Sequence, residues 1–143
     1  MSPRFALPVI LALSVGAVAA PLGLAQFTEL AKPRTTTILR GTFTDSAKYT
    51  GVGTATVTRR ATVRTLRLAR TFRADPRSIR LRMYLATDAS GRTHIDLGPM
   101  VEAGAQTFRV PSRVRLGRYR YAIAWCAAVD EPITQARLIP ARR

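Results

Sequence analysis

From residue 54 onward, apolar and polar side chains alternate with a period of two, and this period limits the folds open to the chain. Ala55 and Val57 alternate with Thr54, Thr56 and Thr58, which describes a strand with one threonine-lined face. Similar alternation or short strand-like runs recur further on, at residues 66–69, 79–85, 94–97, 106–110, 118–126 and 133–139. A period of two places alternate side chains on opposite faces of a β-strand, and no segment has a clear helical period. The pattern therefore predicts an all-β protein.

Turn-forming residues separate these segments. They lie at residues 90–91, 98–99, 104, 111–112 and 131–132. About seven to eight short strands at close spacing, with turns between them, predict an antiparallel β-sandwich, and a small barrel is the alternative. The chain is long enough for one such core and leaves no room for a second domain.

The segment at residues 118–126 is predicted to be a strand in the middle of the sheet, because both of its faces can be covered. The large side chains on one face are Tyr119, Tyr121, Ile123 and Trp125. The alternate residues on the other face, which end in Cys126, are small. We expect the aromatic face in the core and the small face under another element or loop.

The N-terminus predicts export. Arg4 precedes an uncharged stretch over residues 5–26, and small residues precede Gln26, so we expect a signal peptide at 1–25. The stretch at 5–25 is also long enough to cross a bilayer, so an uncleaved anchor is the alternative and would be the only membrane contact. A linker at 26–39, polar and broken by Pro33, would lead to the folded domain at 40–143. The expected location is periplasmic, in the cell envelope or secreted.

The chain is strongly basic, with a formal net charge of +15. Removal of the signal peptide takes away Arg4 and leaves about +14. Such a domain would adsorb to anionic cell-envelope components through summed, salt-sensitive attraction. One set of arginines is predicted to be a solvated face or a docking face for an acidic partner: Arg67, Arg80, Arg82, Arg109, Arg118 and Arg120. At 118–121 arginine alternates with tyrosine, which sends the two residue types to opposite faces, so no dedicated nucleic-acid binding is expected.

Cys126 is the only cysteine in a chain that is predicted to be exported. Exported proteins usually pair their cysteines, so a single thiol indicates an inert core residue, an intermolecular disulfide, or a redox or metal-ligating group. A reactive thiol requires neighbours that stabilise the thiolate. Arg118 and Arg120 would share its face if the alternation holds throughout the strand. The residues alone leave packing and reactivity open.

Other chemistry receives little support. His94, the only histidine, could pair with Cys126, with Asp96 orienting the ring, but no nucleophile motif or glycine-rich oxyanion turn accompanies them. A copper or zinc site would have these two ligands, joined by Met83 or Met100, which falls short of the usual set. We therefore predict no metal and no cofactor, and the sequence favours a protein that is not an enzyme.

Several short motifs occur in a fixed order along the chain: GTFTD at 41–45, YTGVGTA at 49–55, DLGPM at 96–100, FRVP at 108–111 and AWC at 124–126. With these motifs, residues 40–139 resemble the DM-thirteen domain family, also called electron transfer DM. The resemblance implies an extracytoplasmic β-sandwich, and it implies that Cys126 matches the family's cysteine, for which a redox role has been proposed.

The chain departs from the family at two places. The family tends to have Gly-Pro-Asp-Leu where residues 76–79 are Pro-Arg-Ser-Ile, and it usually continues with a basic residue and Phe after the cysteine, where Ala127 and Ala128 stand here. If the loop after Cys126 tunes the thiol, these changes would alter its potential. Two functions are therefore expected: electron transfer centred on Cys126 with a redox partner protein, or a non-redox binding module whose basic face holds an acidic envelope polymer or protein.

Overall fold

The computed structural model describes residues 31–75 and 80–142. These residues form eleven β-strands and no helix: β1 (Thr35–Thr44), β2 (Thr50–Val52), β3 (Thr54–Arg60), β4 (Val63–Leu68), β5 (Arg73–Asp75), β6 (Leu81–Ala86), β7 (His94–Met100), β8 (Gln106–Val110), β9 (Tyr121–Cys126), β10 (Glu131–Arg137) and β11 (Ile139–Pro140). The predicted all-β fold is confirmed. Within this described part, no helix could span a membrane.

One antiparallel sheet contains most of the strands. Eight of them follow the order β7-β6-β9-β10-β1-β3-β4-β8, β11 pairs with β1, and β2 and β5 form a separate pair. Strands β7 and β8, at the two ends of this order, contact each other, so the sheet nearly closes into a barrel-like shape. The antiparallel arrangement agrees with the prediction, whereas the eleven strands exceed the seven to eight expected, because the short strands β2, β5 and β11 were not predicted.

Strand β1 starts earlier than the sequence predicts. Its first residues, 35–39, belong to the predicted linker, but they pair with the end of β3 in the register Thr35↔Arg60 and Leu39↔Val57. Polar threonines and Pro33 make this stretch resemble a linker, whereas the inward-facing Leu39 anchors it to the core. The predicted signal segment at 1–25 and the linker residues 26–30 lie outside the described residues.

The core lies on the inner face of the curved sheet. Strand β3 contributes Ala55 and Val57, which are fully buried, while its threonines are half-buried on the outer face, as predicted. Strand β6 likewise turns Leu81, Met83 and Leu85 inward. Ile79, which the sequence assigns to this strand, is outside the described residues.

Strand β9 is an interior strand, as predicted, but its two faces are the reverse of the prediction. Ala122, Ala124 and Cys126 face the main core, whereas Ile123 packs in a second cluster with Tyr84 on the outer face. Large side chains from β6 and β10 already fill the interior beside β9, so small residues fit inward there. The aromatic residues of β9 then pack outside the sheet, where Tyr121 and Trp125 remain half-buried.

Candidate functional site

Cys126 ends β9 on the inner face and is only 4% exposed. Its register partners are Leu81 on β6 and Glu131 on β10. Strand β9 begins at Tyr121, so the alternation does not extend to Arg118 and Arg120. About six residues separate Arg120 from Cys126, roughly 20 Å of extended chain. These two arginines therefore lie at the opposite end of β9 and do not stabilise a thiolate at Cys126.

A cluster of three hydrogen-bonded polar side chains lies at the surface over this end of the core. Glu131 accepts hydrogen bonds from Lys48 Nζ at 2.6 Å and from Tyr49 Oη at 3.1 Å, which hold the pKa of the Glu131 carboxyl below its usual value. The pKa of Tyr49 is raised, first by its hydrogen bond to Glu131, then by burial, and least by a neighbouring Cys126. A cleft of about 280 Å³ opens here between Tyr49 and Pro132. Cys126 itself lies beneath this surface, within the core cluster against which Tyr49 packs.

His94 lies on the other face of the sheet from Cys126. It pairs with Ala86 at one end of β6, whereas Cys126 pairs with Leu81 at the other end, five residues or about 17 Å away. The His94 ring stacks on Tyr84 with 3.9 Å between ring centroids, and its Nδ1 lies 2.6 Å from the Gly91 carbonyl oxygen. The structure therefore does not bring together the Cys-His pair that the sequence raised as a possible nucleophile.

Asp96 is likewise engaged elsewhere. Its carboxylate binds Arg82 Nε at 2.6 Å and accepts a hydrogen bond from the Gly98 amide. The two candidate thioether ligands, Met83 and Met100, do face the core on the side of Cys126, but His94 does not. Among residues 31–75 and 80–142, no three His, Cys, Asp or Glu side chains group as metal ligands.

The predicted arginine stripe is divided by the fold. Arg67 and Arg109 lie on the neighbouring strands β4 and β8, where both are exposed. Arg82, by contrast, lies on β6 in its ion pair with Asp96. Arg118 ends a turn before β9, Arg120 directly precedes β9, and Arg80 directly precedes β6. Of the six residues, Arg67 and Arg109 therefore lie together on one face, and the other four lie outside β4 and β8.

That surface is formed by the outward side chains of β1, β3, β4 and β8, and we call it the Thr-Arg face. Cross-strand pairing arranges it in rows. One row is Arg40, Thr56, Arg67 and Thr107, and the next is Thr37, Thr58, Thr65 and Arg109. Arg60 lies at the end of β3, beside Thr35. Because neighbouring strands are about 4.8 Å apart, Arg40 and Arg67 are separated by roughly 10 Å at the backbone.

The arginines of the Thr-Arg face lack acidic neighbours. Strands β1, β3, β4 and β8 contain no Asp or Glu. In the described ranges the two ion pairs are Lys48–Glu131 and Arg82–Asp96, both away from this face. Arg60 Nε donates to the Pro33 carbonyl, which leaves its other N–H groups available. Positive charge on this face is therefore not neutralised by the described part of the protein.

Not every arginine near this face is available. Arg64 lies on β4 but alternates in step with the inward-facing residues of that strand. Its guanidinium donates hydrogen bonds to the carbonyls of Pro111, Ser112 and Val114 at 2.7 to 2.9 Å. These bonds fasten the loop after β8 to the end of the sheet. Arg64 thus has a structural role.

A trough of about 790 Å³ adjoins the Thr-Arg face where β1 changes partner. β1 pairs with β11 at Arg40↔Ile139 and with β10 at Phe43↔Ala136. Between these pairs, a Cβ at Gly41 would lie 2.4 Å from the Arg137 carbonyl oxygen, so the two backbones are in close contact there. The trough is lined by arginines from both sides, Arg34, Arg40, Arg137 and Arg142.

Sequence reasoning missed this arrangement mainly because β1 was assigned in part to a linker. The sequence does carry a strand pattern in this segment, because Leu39, Gly41 and Phe43 alternate with Arg40 and Thr42. Recognition of that alternation would have placed Arg40 on the same face as the threonines of β3. The neighbouring positions of β1 and β3 follow from long-range pairing, which the period alone does not reveal.

No protein-family model, curated protein or solved structure matches this chain.

Proposed function

We propose that this protein is a non-enzymatic binding module of the cell envelope, whose Thr-Arg face holds an anionic polymer. The observation that carries the proposal is the exposure of Arg40, Arg67 and Arg109 on one threonine-rich face without a carboxylate on its strands. Guanidinium groups bind carboxylate or phosphate oxygens through paired donors, and threonine hydroxyls both donate and accept hydrogen bonds. An anionic polymer that carries hydroxyl groups could therefore bind the arginines through its anionic groups and the threonines through its hydroxyl groups.

The proposal includes export, which the N-terminal sequence supports through Arg4 and the uncharged stretch at 5–26. An exported basic domain meets anionic polymers at the cell surface, where attraction summed over several charges operates. Nucleic acid fits less well, because the face lacks an aromatic side chain on which a base could stack: Phe43 and Phe108 of its strands point into the core.

A charge-matched comparison tests the proposal. The variant Arg40→Gln/Arg67→Gln/Arg109→Gln removes three charges from the face, and the control Arg70→Gln/Arg92→Gln/Arg118→Gln removes three exposed charges elsewhere. Binding to poly(glycerol phosphate), polygalacturonate and neutral dextran is measured over a range of salt. We expect the wild type and the control to bind at least one anionic polymer, and the face variant to bind roughly tenfold more weakly or worse, with a smaller salt slope by about one unit per arginine.

Equal losses in the two triple variants would show that net charge, and no particular face, causes the attraction. Binding to dextran as strong as to the anionic polymers would exclude an electrostatic role. Either result would overturn the proposal.

Electron transfer at Cys126 is the second proposal, together with membership in the DM-thirteen family. Its support is the resemblance in the motifs and the position of Cys126 beside Tyr49 at an end of the core. Reversible oxidation of the thiol in the folded protein by a mild oxidant, with the fold retained, would support it. A thiol that oxidises only after unfolding would exclude it.

A further inference from the structure

The trough between β1 and the β10–β11 segment differs from the rest of the basic surface because arginines line it on two sides. Arg34 precedes β1 and Arg40 lies within it, whereas Arg137 ends β10 and Arg142 follows β11. All four are exposed, and no carboxylate among the described residues lines the trough. A group placed there would therefore meet positive charge from both walls.

The charge arrangement favours a tetrahedral oxyanion over a carboxylate. A carboxylate is planar and is suited to one guanidinium fork, whereas a phosphate group directs its oxygens to several sides and can accept hydrogen bonds from more than one arginine. The trough thus fits phosphate in particular.

The remaining lining favours a hydroxylated carbon skeleton attached to that phosphate. Threonines of β1, at positions 35–37 and 42, supply hydroxyl groups on one wall. Ile139, 55% exposed, and Pro140 supply an apolar surface on the other wall. Hydroxyl groups of a polyol can bond to the threonines while its C–H groups contact the apolar wall.

A lipid surface is a poorer occupant. Insertion into a bilayer would require exposed hydrophobic side chains that project together, as on an interfacial helix. The exposed large hydrophobic residues of the described ranges lie instead on separate elements: Val52, Val63, Val101, Val129 and Ile139. The phosphate source that the surface suits is therefore a water-soluble polymer.

We propose that the trough is a subsite for one phosphate-bearing polyol unit of the polymer that the Thr-Arg face holds. The inference rests on the proposed function, since it names the ligand class and locates one of its repeating units. Arg137 and Arg142 bind the phosphate from one side and Arg34 and Arg40 from the other.

Titration with a single unit tests the subsite apart from the polymer. The probe is glycerol 1-phosphate, followed by amide chemical shifts of the full chain, with glycerate and glycerol as comparison ligands. We expect saturable binding of glycerol 1-phosphate with shifts in β1, β10 and β11, at least tenfold weaker binding of glycerate, and no detectable binding of glycerol. The variant Arg137→Gln/Arg142→Gln is expected to lose tenfold or more in affinity, and the control Arg70→Gln/Arg118→Gln is expected to match the wild type.

Equal affinity for glycerate, or an unchanged affinity in Arg137→Gln/Arg142→Gln, would overturn the inference. So would tighter binding to phosphatidylglycerol vesicles than to poly(glycerol phosphate), since the lipid would then be the preferred source of the same chemical group. If the wild type binds poly(glycerol phosphate) through Arg67 and Arg109 but glycerol 1-phosphate does not bind in the trough, the subsite fails and the proposed function stands. If the single unit binds and neither anionic polymer does, the proposed function fails.

Discussion

At the scale of single residues, the structure buries the thiol of Cys126 at the end of β9. Its side chain lies on the inner face of β9 among Leu81, Met83 and Ala124. The two arginines that the sequence places on the face of Cys126, Arg118 and Arg120, lie at the far end of the strand. From this burial we expect Cys126 to pack as a small hydrophobic residue.

We therefore predict that the thiol of Cys126 is inaccessible in the native protein. In the native protein Cys126 should react with a small thiol reagent far more slowly than in the unfolded chain, and the rate should rise with denaturant as the core opens. Cys126→Ser should lower the free energy of unfolding by about 1 to 3 kcal/mol, because a hydroxyl replaces the thiol in an apolar site. Cys126→Ala, which adds no polar group, is the control and should cost less.

A native-state reaction rate close to that of the unfolded chain would contradict the packed position. It would also strengthen the case for redox chemistry at this residue. Chemical denaturation of the two variants and kinetics of thiol labelling provide both measurements.

At the scale of the elements, the short pair β2–β5 packs closely against the main sheet. Gly51 of β2 is buried over Thr134 of β10, whose hydroxyl donates to the Thr44 carbonyl at 2.7 Å. A Cβ at Gly51 would lie 2.0 Å from Thr134 Oγ1 and 2.2 Å from its Cβ. Thr134 is 1% exposed and sits in this contact, so it has little space into which to move.

Gly51→Ala should consequently displace β2 or break the Thr134–Thr44 hydrogen bond. We expect the free energy of unfolding to fall by about 1 to 3 kcal/mol, the range found for overpacked sites. Gly117→Ala is the matched control, because a Cβ there would meet no atom within 4 Å. Thermal and chemical denaturation of both variants check the prediction, and equal stability of Gly51→Ala and Gly117→Ala would show that β2 is not held closely against β10.

The elements also show how far the sequence predicts the structure. Period-two alternation identifies the inward residues of β3 and β6 correctly, because each face meets a different environment. It misassigns the faces of β9, where both are apolar and the choice depends on how much space the neighbouring strands leave inside. It also shortens β1, because the pairing of residues 35–39 with β3 is long-range and their polarity resembles that of a linker.

At the scale of the whole molecule, the fold places acidic residues and the arginines of the Thr-Arg face on different strands. The described acids lie in the β1–β2, β6–β7, β7–β8 and β9–β10 connections and in β5, β7 and β10, whereas β1, β3, β4 and β8 carry arginine and no acid. The net charge of +15 is visible in composition, but its distribution depends on which strands become neighbours. For that reason the sequence indicated a basic face in general terms and grouped Arg67 and Arg109 with arginines that lie elsewhere.

If the Thr-Arg face holds an anionic polymer, a map of the bound polymer on the protein should show contacts there. Amide chemical shifts of the full chain are followed during titration with poly(glycerol phosphate) at low salt. We expect shifts that concentrate on β1, β3, β4 and β8 and extend to β10 and β11 beside the trough. They should return towards their starting values as salt is raised and leave β6 and β7 unchanged. Shifts centred on β6 and β7, around Tyr84 and His94, would contradict it.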